Sequence, residues 1–312
     1  MTQVVSNDVS AIQPELWSTM VQVPLYKSLV ALEVANMKLS DTVKYADTVH
    51  VPRFGDLSAQ TYTPGTTISA TAQDWAYDTL VVSAYKHVTF YVDDARSLTV
   101  NVSEARELAE QAAYQLKNKI DSDVFKTITG SDGFDSYGGD AALIGGTAHR
   151  PISAGSATII NLFANARRVL RERNVEELGD WISIVTPKIA AAIETKTTSV
   201  GYNVADATLR NGYAGDFMGF QIYISNNLPS GKCSAVAPTI SGGAVSATSC
   251  KSIYFGRRGT IDVVMMRAPA LEIRKKDDMI GSNFITWTVY GANVFNKNSK
   301  RGINVAIQSG YY

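Results

Sequence analysis

Three closely spaced acidic pairs, Asp93-Asp94, Asp121 with Asp123, and Asp277-Asp278, are where this chain could hold a divalent cation or run acid–base chemistry. Each has a plainer reading. Asp93-Asp94 closes a strand-like run, Asp121 and Asp123 fall on the polar side of a long helical pattern, and Lys275-Lys276-Asp277-Asp278 neutralises itself in a turn. The three histidines, His50, His87 and His149, lie in different kinds of element and form no His-Glu-x-x-His or comparable ligand spacing. No Gly-x-Ser-x-Gly elbow supplies a hydrolase nucleophile. Gly231-Lys232-Cys233 lacks the earlier glycine and the Ser or Thr of a phosphate loop. No catalytic, cofactor-binding or metal-binding residue is expected.

Cys233 and Cys250 flank an uncharged stretch long enough for a membrane span, but its Gly, Ser, Ala, Thr and Pro partition poorly into hydrocarbon, so it reads as a loop. The first basic residue is Lys27, so the start of the chain lacks the basic region of a signal peptide. The cysteines are therefore expected as ordinary thiols, although a disulfide closing the loop is conceivable. Asn101-Val102-Ser103 is formally a glycosylation sequon whose useful role here is helix capping.

Lys plus Arg equals Asp plus Glu at 29 each, so no global field steers the protein to nucleic acid, acidic membrane or basic partner. Two local basic groups remain, Arg167, Arg168, Arg171 and Arg173 at a helix end, and Arg257-Arg258. Neither is interleaved with stacking aromatics, so a solvated helix end is the default.

The elements that would position any such chemistry alternate in type. Pro14 to about Val34 has helical spacing interrupted by Pro24, a broken helical arm. Period-two residues from Thr42 lead into "VPRFGDLSAQTYTPGTTISAT", Val51 to Thr71, which is too poor in large apolar side chains to build a core. Thr79 to Asp94 reads as one long strand. Asn101 opens the clearest element, a helix with an apolar stripe at Ala105, Leu108, Ala109, Ala112, Leu116, Ile120, Val124 and Ile128.

After a Gly- and Asp-rich connection, Gly130 to Gly146, helices and strands alternate. Thr158 to Arg173 is amphipathic. "WISIVTPKIAAAIETK" gives a buried strand, a Thr186 cap, and a helix opened by Pro187. "GFQIYISNNLP", "SIYFGRRGTIDVVMM", "FITWTVYGANVF" and "GINVAIQS" read as strands. The fold class is α+β.

This order, with the phrases "LRERNVEELGDWISIVTPKIAAAI", "GFQIYISNNLP" and "SIYFGRRGTIDVV", resembles the major capsid proteins of tailed bacteriophages, the Hong Kong 97-type (Johnson) fold. The resemblance implies an N-arm at 1–46 and an E-loop hairpin at 47–78. It implies a peripheral domain at 79–150 with its spine helix at 101–128, an axial domain at 151–275, and returning peripheral strands at 276–312.

By the same resemblance the chain assembles with itself as pentamers and hexamers of an icosahedral head around double-stranded DNA, which it touches non-specifically. A portal protein occupies one vertex, and no membrane is involved. The implied location is the virion, assembled in the host bacterial cytoplasm. Val51, Arg53, Phe54, Tyr62, Ile68 and Trp75 are the expected subunit-interface residues, with Gly55 and Pro64-Gly65 setting bends.

Two departures from relatives matter. Some relatives begin with a removable scaffolding segment, and the short stretch before the E-loop here implies a separate scaffolding protein or none. Others cross-link through an E-loop lysine, and no lysine occurs between Lys44 and Lys86, so no isopeptide of that kind is expected. Two other classes stay open: a soluble α+β enzyme with a site in 151–275, favoured by a pocket of converging titratable groups, and a nucleic-acid-binding module using the arginine-rich helix end.

Overall fold

The computed structural model describes residues 26–27, 29–41, 43, 46–55, 57–68, 75–93, 104–130, 152, 159–175, 180–199, 215–233, 248–275, 280–295 and 300–308. The expectations placed on Pro14 to Pro24, Asn101, Gly130 to Gly146 beyond the helix end, His149 and Asp277-Asp278 lie outside these residues.

β-Branched and aromatic residues make Trp75 to Asp93 extended, but as two strands. β1 (Thr48–Phe54) and β2 (Trp75–Val81) form an antiparallel hairpin with Thr48 opposite Val81 and Phe54 opposite Trp75. β3 (Ala84–Asp93) leaves it for another sheet, so the reading of Thr79 to Asp94 as one strand is corrected. The physical cause is at the corner: Val82 is buried and its amide donates to the Asp47 carbonyl at 2.7 Å.

The second sheet has order β3-β10-β9, where β9 is Asp262–Lys275 and β10 is Gly281–Asn293, antiparallel throughout. β10 passes under the hairpin corner at Gly291. A Cβ there would stand 2.5 Å from the Val81 carbonyl oxygen and 3.0 Å from the Val82 Cα, so the close crossing requires glycine. Leu80, Val82, Val43, Val264, Val289 and Phe295 pack as a small core at this crossing.

The long helix, following the four-residue α1 (Ala31–Val34), is α2 (Glu104–Gly130), and its stripe is buried as expected at Ala112, Leu116, Ile120, Val124 and Ile128. It packs on β3, β9 and β10, and from Ile120 onward its buried side chains join the main core.

That core lies between helices and a six-stranded sheet. β4 (Trp181–Val185) is buried along its whole length, parallel to β6 (Phe220–Ile224) and antiparallel to β8 (Thr248–Arg257). The sheet order is β11-β8-β4-β6-β5, with β11 at Gly302–Gln308 and β5 at Asp216–Phe217; β7 (Ser230–Cys233) pairs with β8. Burial on both faces explains why "WISIV" is apolar at every position but Ser183. α3 (Ile159–Glu172) places Phe163 edge-on to Phe255 at 4.9 Å and to Phe217 at 5.0 Å.

α4 (Pro187–Ser199) begins at proline as expected. The Thr186 carbonyl accepts the Ala190 amide at 3.1 Å, but the hydroxyl expected to cap is buried with no partner, a correction.

Val30 to Asp41, within the expected N-arm, lies against the chain's own body. Val30, Ala31 and Val34 enter the main core. Asn36 donates its amide to Ile261 O at 2.8 Å and its side chain to Asp262 Oδ1 at 2.6 Å, and its carbonyl accepts from Val263 at 2.9 Å. Ser40 donates its hydroxyl to Val263 O and accepts the Met265 amide. This segment is a strap joining the main core to the small one.

Candidate functional site

The acidic pairs separate in the structure. Asp121 is buried, not on a polar face, and accepts the amides of Val30 at 2.9 Å and Ala31 at 2.7 Å and the side chain of Asn227 at 2.9 Å. The signal was in the spacing: Asp121 precedes Val124 and Phe125 by one helical turn and shares their face.

Asp123 faces another way. Burial raises its pKa, but hydrogen bonds from Lys119 at 3.0 Å, Tyr290 at 2.8 Å and Lys126 at 3.4 Å outweigh this and hold it below the usual carboxylate value. Burial, then the neighbouring anion, push the Tyr290 phenol up. This pair ties β10 to the long helix.

The arginines are occupied with structure. Arg168 pairs with Glu172, Arg173 donates to Gly302 O at 3.0 Å, Arg257 pairs with Asp180 at 3.4 Å, and Arg258 donates to the Tyr223 hydroxyl. Arg257, Arg258 and Arg301 line a cleft of about 740 Å³ together with Lys38, Asp41 and Asp180. Among the described residues no three His, Cys, Asp or Glu side chains gather as metal ligands. His50 lies 3.1 Å from the Thr79 hydroxyl, and His87 is on the exposed face of β3.

The backbone also speaks to the cysteines. Cys233 lies opposite Thr248 and Cys250 opposite Gly231, so the two are offset by two positions along paired strands. Such diagonal positions are about 7–8 Å apart, beyond the usual disulfide Cα separation.

What remains is surface. Among the described residues, every exposed large hydrophobic residue except Tyr26 lies on the hairpin and the segment joining its strands or on and beside the three-stranded sheet: Phe54, Leu57, Tyr62, Ile68, Trp75, Tyr77 and Val81 on the first, and Tyr85, Tyr91, Leu271, Ile273 and Ile280 on the second. Residues 57–68 are exposed throughout and carry no charge. Their bend is where Pro64-Gly65 was expected to set it, with Gly65 at φ +90° and the Thr66 amide returning to Thr63 O at 3.2 Å.

The hairpin has two unlike faces, because residues directly opposite one another share a side. Pro52 with Tyr77 and Phe54 with Trp75 stand on the outer face, with His50 edge-on to Tyr77 at 4.9 Å and Phe54 edge-on to Trp75 at 4.6 Å. On the inner face Val49 and Val51 pack against the small core, and Arg53 Nε lies 3.8 Å from Asp78. Of the expected interface residues, Val51 and Arg53 therefore turn to their own subunit, while Phe54, Tyr62, Ile68 and Trp75 are exposed. Tyr77 was missed, although its two-residue spacing from Trp75 marks the same face.

On the three-stranded sheet, Glu272 accepts from Trp287 Nε1 and from Arg274, each at 3.0 Å, and from Arg267, which stacks on the Trp287 ring at 3.7 Å. These donors, Trp287 first, lower the Glu272 pKa.

Comparison with known proteins closes the description. The family model described as phage capsid protein matches residues 101–303. Among solved structures, a chain of Mycobacterium phage Che8 is 20% identical with a TM-score of 0.71, covering 96% of this chain and 98% of that one. The capsid of cyanophage P-SCSP1u is 15% identical at TM-score 0.72, covering 98% and 96%. The mature capsid of bacteriophage PhiM1 is 14% identical at TM-score 0.68, covering 98% and 96%. At such identities the likeness is one of fold. No curated protein matches the sequence.

Proposed function

The chain belongs to the phage capsid protein family and is a structural major capsid protein with the fold of the tailed-phage coat proteins, and from this premise we propose how it assembles. The outer face of the hairpin, Phe54, Trp75 and Tyr77, with the uncharged segment 57–68 carrying Tyr62 and Ile68, contacts the next copy in pentamers and hexamers of an icosahedral head around double-stranded DNA. Val51 and Arg53 support that surface from behind.

One observation carries the reading: among the described residues the exposed large apolar side chains are confined, Tyr26 aside, to the hairpin and the sheet it crosses. A monomer gains nothing by exposing them there, whereas a repeated heterologous contact buries them in every subunit. The boundaries of N-arm (1–46), E-loop (47–78), peripheral (79–150, 276–312) and axial (151–275) regions belong to the proposal. So do a separate scaffolding protein, a portal at one vertex, non-specific DNA contact, and assembly in the host cytoplasm. Among the described residues no helix is long and apolar enough to cross a membrane.

Deleting Phe54 to Ile68 tests this. The expected product is a soluble, folded subunit that forms no closed particles by electron microscopy. A deletion that unfolds the subunit places the stretch in the core, and one that still yields shells removes the hairpin from the contact.

A further inference from the structure

Asp121 is 2% exposed, and an isolated charge at that depth is strongly disfavoured unless hydrogen bonds satisfy it. Its donors come from two distant segments. Oδ1 accepts the Val30 and Ala31 amides at 2.9 and 2.7 Å, where α1 has no capping side chain of its own. Oδ2 accepts Asn227 Nδ2 at 2.9 Å, and the same nitrogen donates to Asn118 Oδ1 at 2.7 Å. The orientation of Asn227 is fixed from its other end, because its carbonyl oxygen accepts Lys27 Nζ at 3.0 Å. Lys27 also donates its amide to the Tyr114 hydroxyl at 2.7 Å, and the Tyr26 ring lies 4.1 Å from that of Tyr114. Residues 26, 27 and 29–31 are thus held along one face of the long helix, at Tyr114, Asn118 and Asp121, with the loop carrying Asn227 closing the other side.

We propose that Asp121 is a positioning residue for assembly: it anchors residues 26, 27 and 29–31 on the body of the subunit and so fixes the point to which residues 1–25 are attached. The proposal rests on the reading of that segment as part of an intersubunit arm. A carboxylate suits the role because it is acceptor-only on both oxygens and so joins donors from the strap and from the axial loop at once. An amide in its place offers one acceptor and one donor, and its donor faces the Asn227 donor.

The polarity of the pair supplies the test. Asp121→Asn sets donor against donor, and Asn227→Asp sets carboxylate against carboxylate. The double variant restores one donor and one acceptor in swapped order, with Lys27 now opposite a carboxylate and the Asn118 amide turned over so that its nitrogen donates to residue 227. In the full chain, trypsin cleavage after Lys27, followed by mass spectrometry, is expected to quicken at least about tenfold in either single variant, the scale of one lost charged hydrogen bond. It is expected to return within about threefold of the parent in the double variant, and particle yield is expected to follow the same order.

A double variant no better than the singles, or single variants cleaved at the parent rate, overturns the proposal. If Asp121→Asn yields no soluble protein, Asn227→Ala, which leaves the Val30 and Ala31 bonds intact, is expected to show the same faster cleavage, and parent-like cleavage overturns the proposal. Deletion of residues 1–25 separates the two readings. Full particle yield after that deletion overturns the arm reading and the proposal with it. Loss of particles there, with parent yield from Asp121→Asn, overturns the positioning role alone.

Discussion

Trp75→Ser probes the assembly surface with the least disturbance of the subunit. The side chain is 75% exposed, and its ring partner is Phe54 at a centroid distance of 4.6 Å. In the free subunit the substitution removes an edge-on aromatic contact of about 0.5–1.5 kcal/mol and no core packing. A tryptophan offers about 150–250 Å² for burial, and three quarters of that at about 25 cal/mol per Å² is about 3–5 kcal/mol if a neighbour covers it completely. Half coverage leaves about 1.5–2.5 kcal/mol, at least about tenfold in association for each contact. The assay is the critical protein concentration for particle formation, by light scattering and electron microscopy, beside the thermal midpoint of the soluble subunit. A rise of about tenfold or more is expected, with the midpoint within about 4 °C of the parent. An unchanged critical concentration refutes the reasoning. So does a midpoint loss as large as that of Leu80→Ala, whose buried side chain is expected to cost about 2–5 kcal/mol.

Two further outcomes are expected. Because the Asp123 pKa is depressed in the folded subunit, its stabilisation is present above the ordinary carboxylate value of about 4 and is lost as pH falls through the folded one. Tyr290→Phe removes one of the bonds that depress it, so acid unfolding followed by circular dichroism should begin at higher pH; an unmoved acid limb rules out that linkage. Phe163→Ala empties a site ringed by Phe217, Phe220 and Phe255 and is expected to cost about 3–5 kcal/mol by urea unfolding, with a loss under 1 kcal/mol contradicting the close packing.

Much of the fold was legible because its longest elements carry their own period. The stripe of the long helix, the largely apolar β4 and the alternation along β3 each bury what their spacing says they should. The corner at Val82 was not legible, since it depends on the Asp47 carbonyl and on Gly291, which is remote in sequence. The same holds for Asp121, whose partners Val30 and Asn227 lie 91 and 106 residues away. The exposure of the uncharged Thr-, Gly- and Pro-containing stretch was legible as composition, but the facing of the strands that carry it was not. Strand pairing alone decides that Trp75 and Tyr77 point outward while Val51 points in.

Gly291 sets a mechanical condition on a subunit that must occupy unlike places in one shell. With the Val81 carbonyl and the Val82 Cα already where a single methyl group would stand, the hairpin root rests on β10 without clearance. A base so seated behaves as a clamped end, not a pivot. On the proposed assembly, differences in reach between one neighbour and the next would then be taken up by bending along the stem and in the charge-free segment 57–68. Gly291→Ala would act as a shim, lifting the whole stem and re-aiming every contact beyond it by leverage.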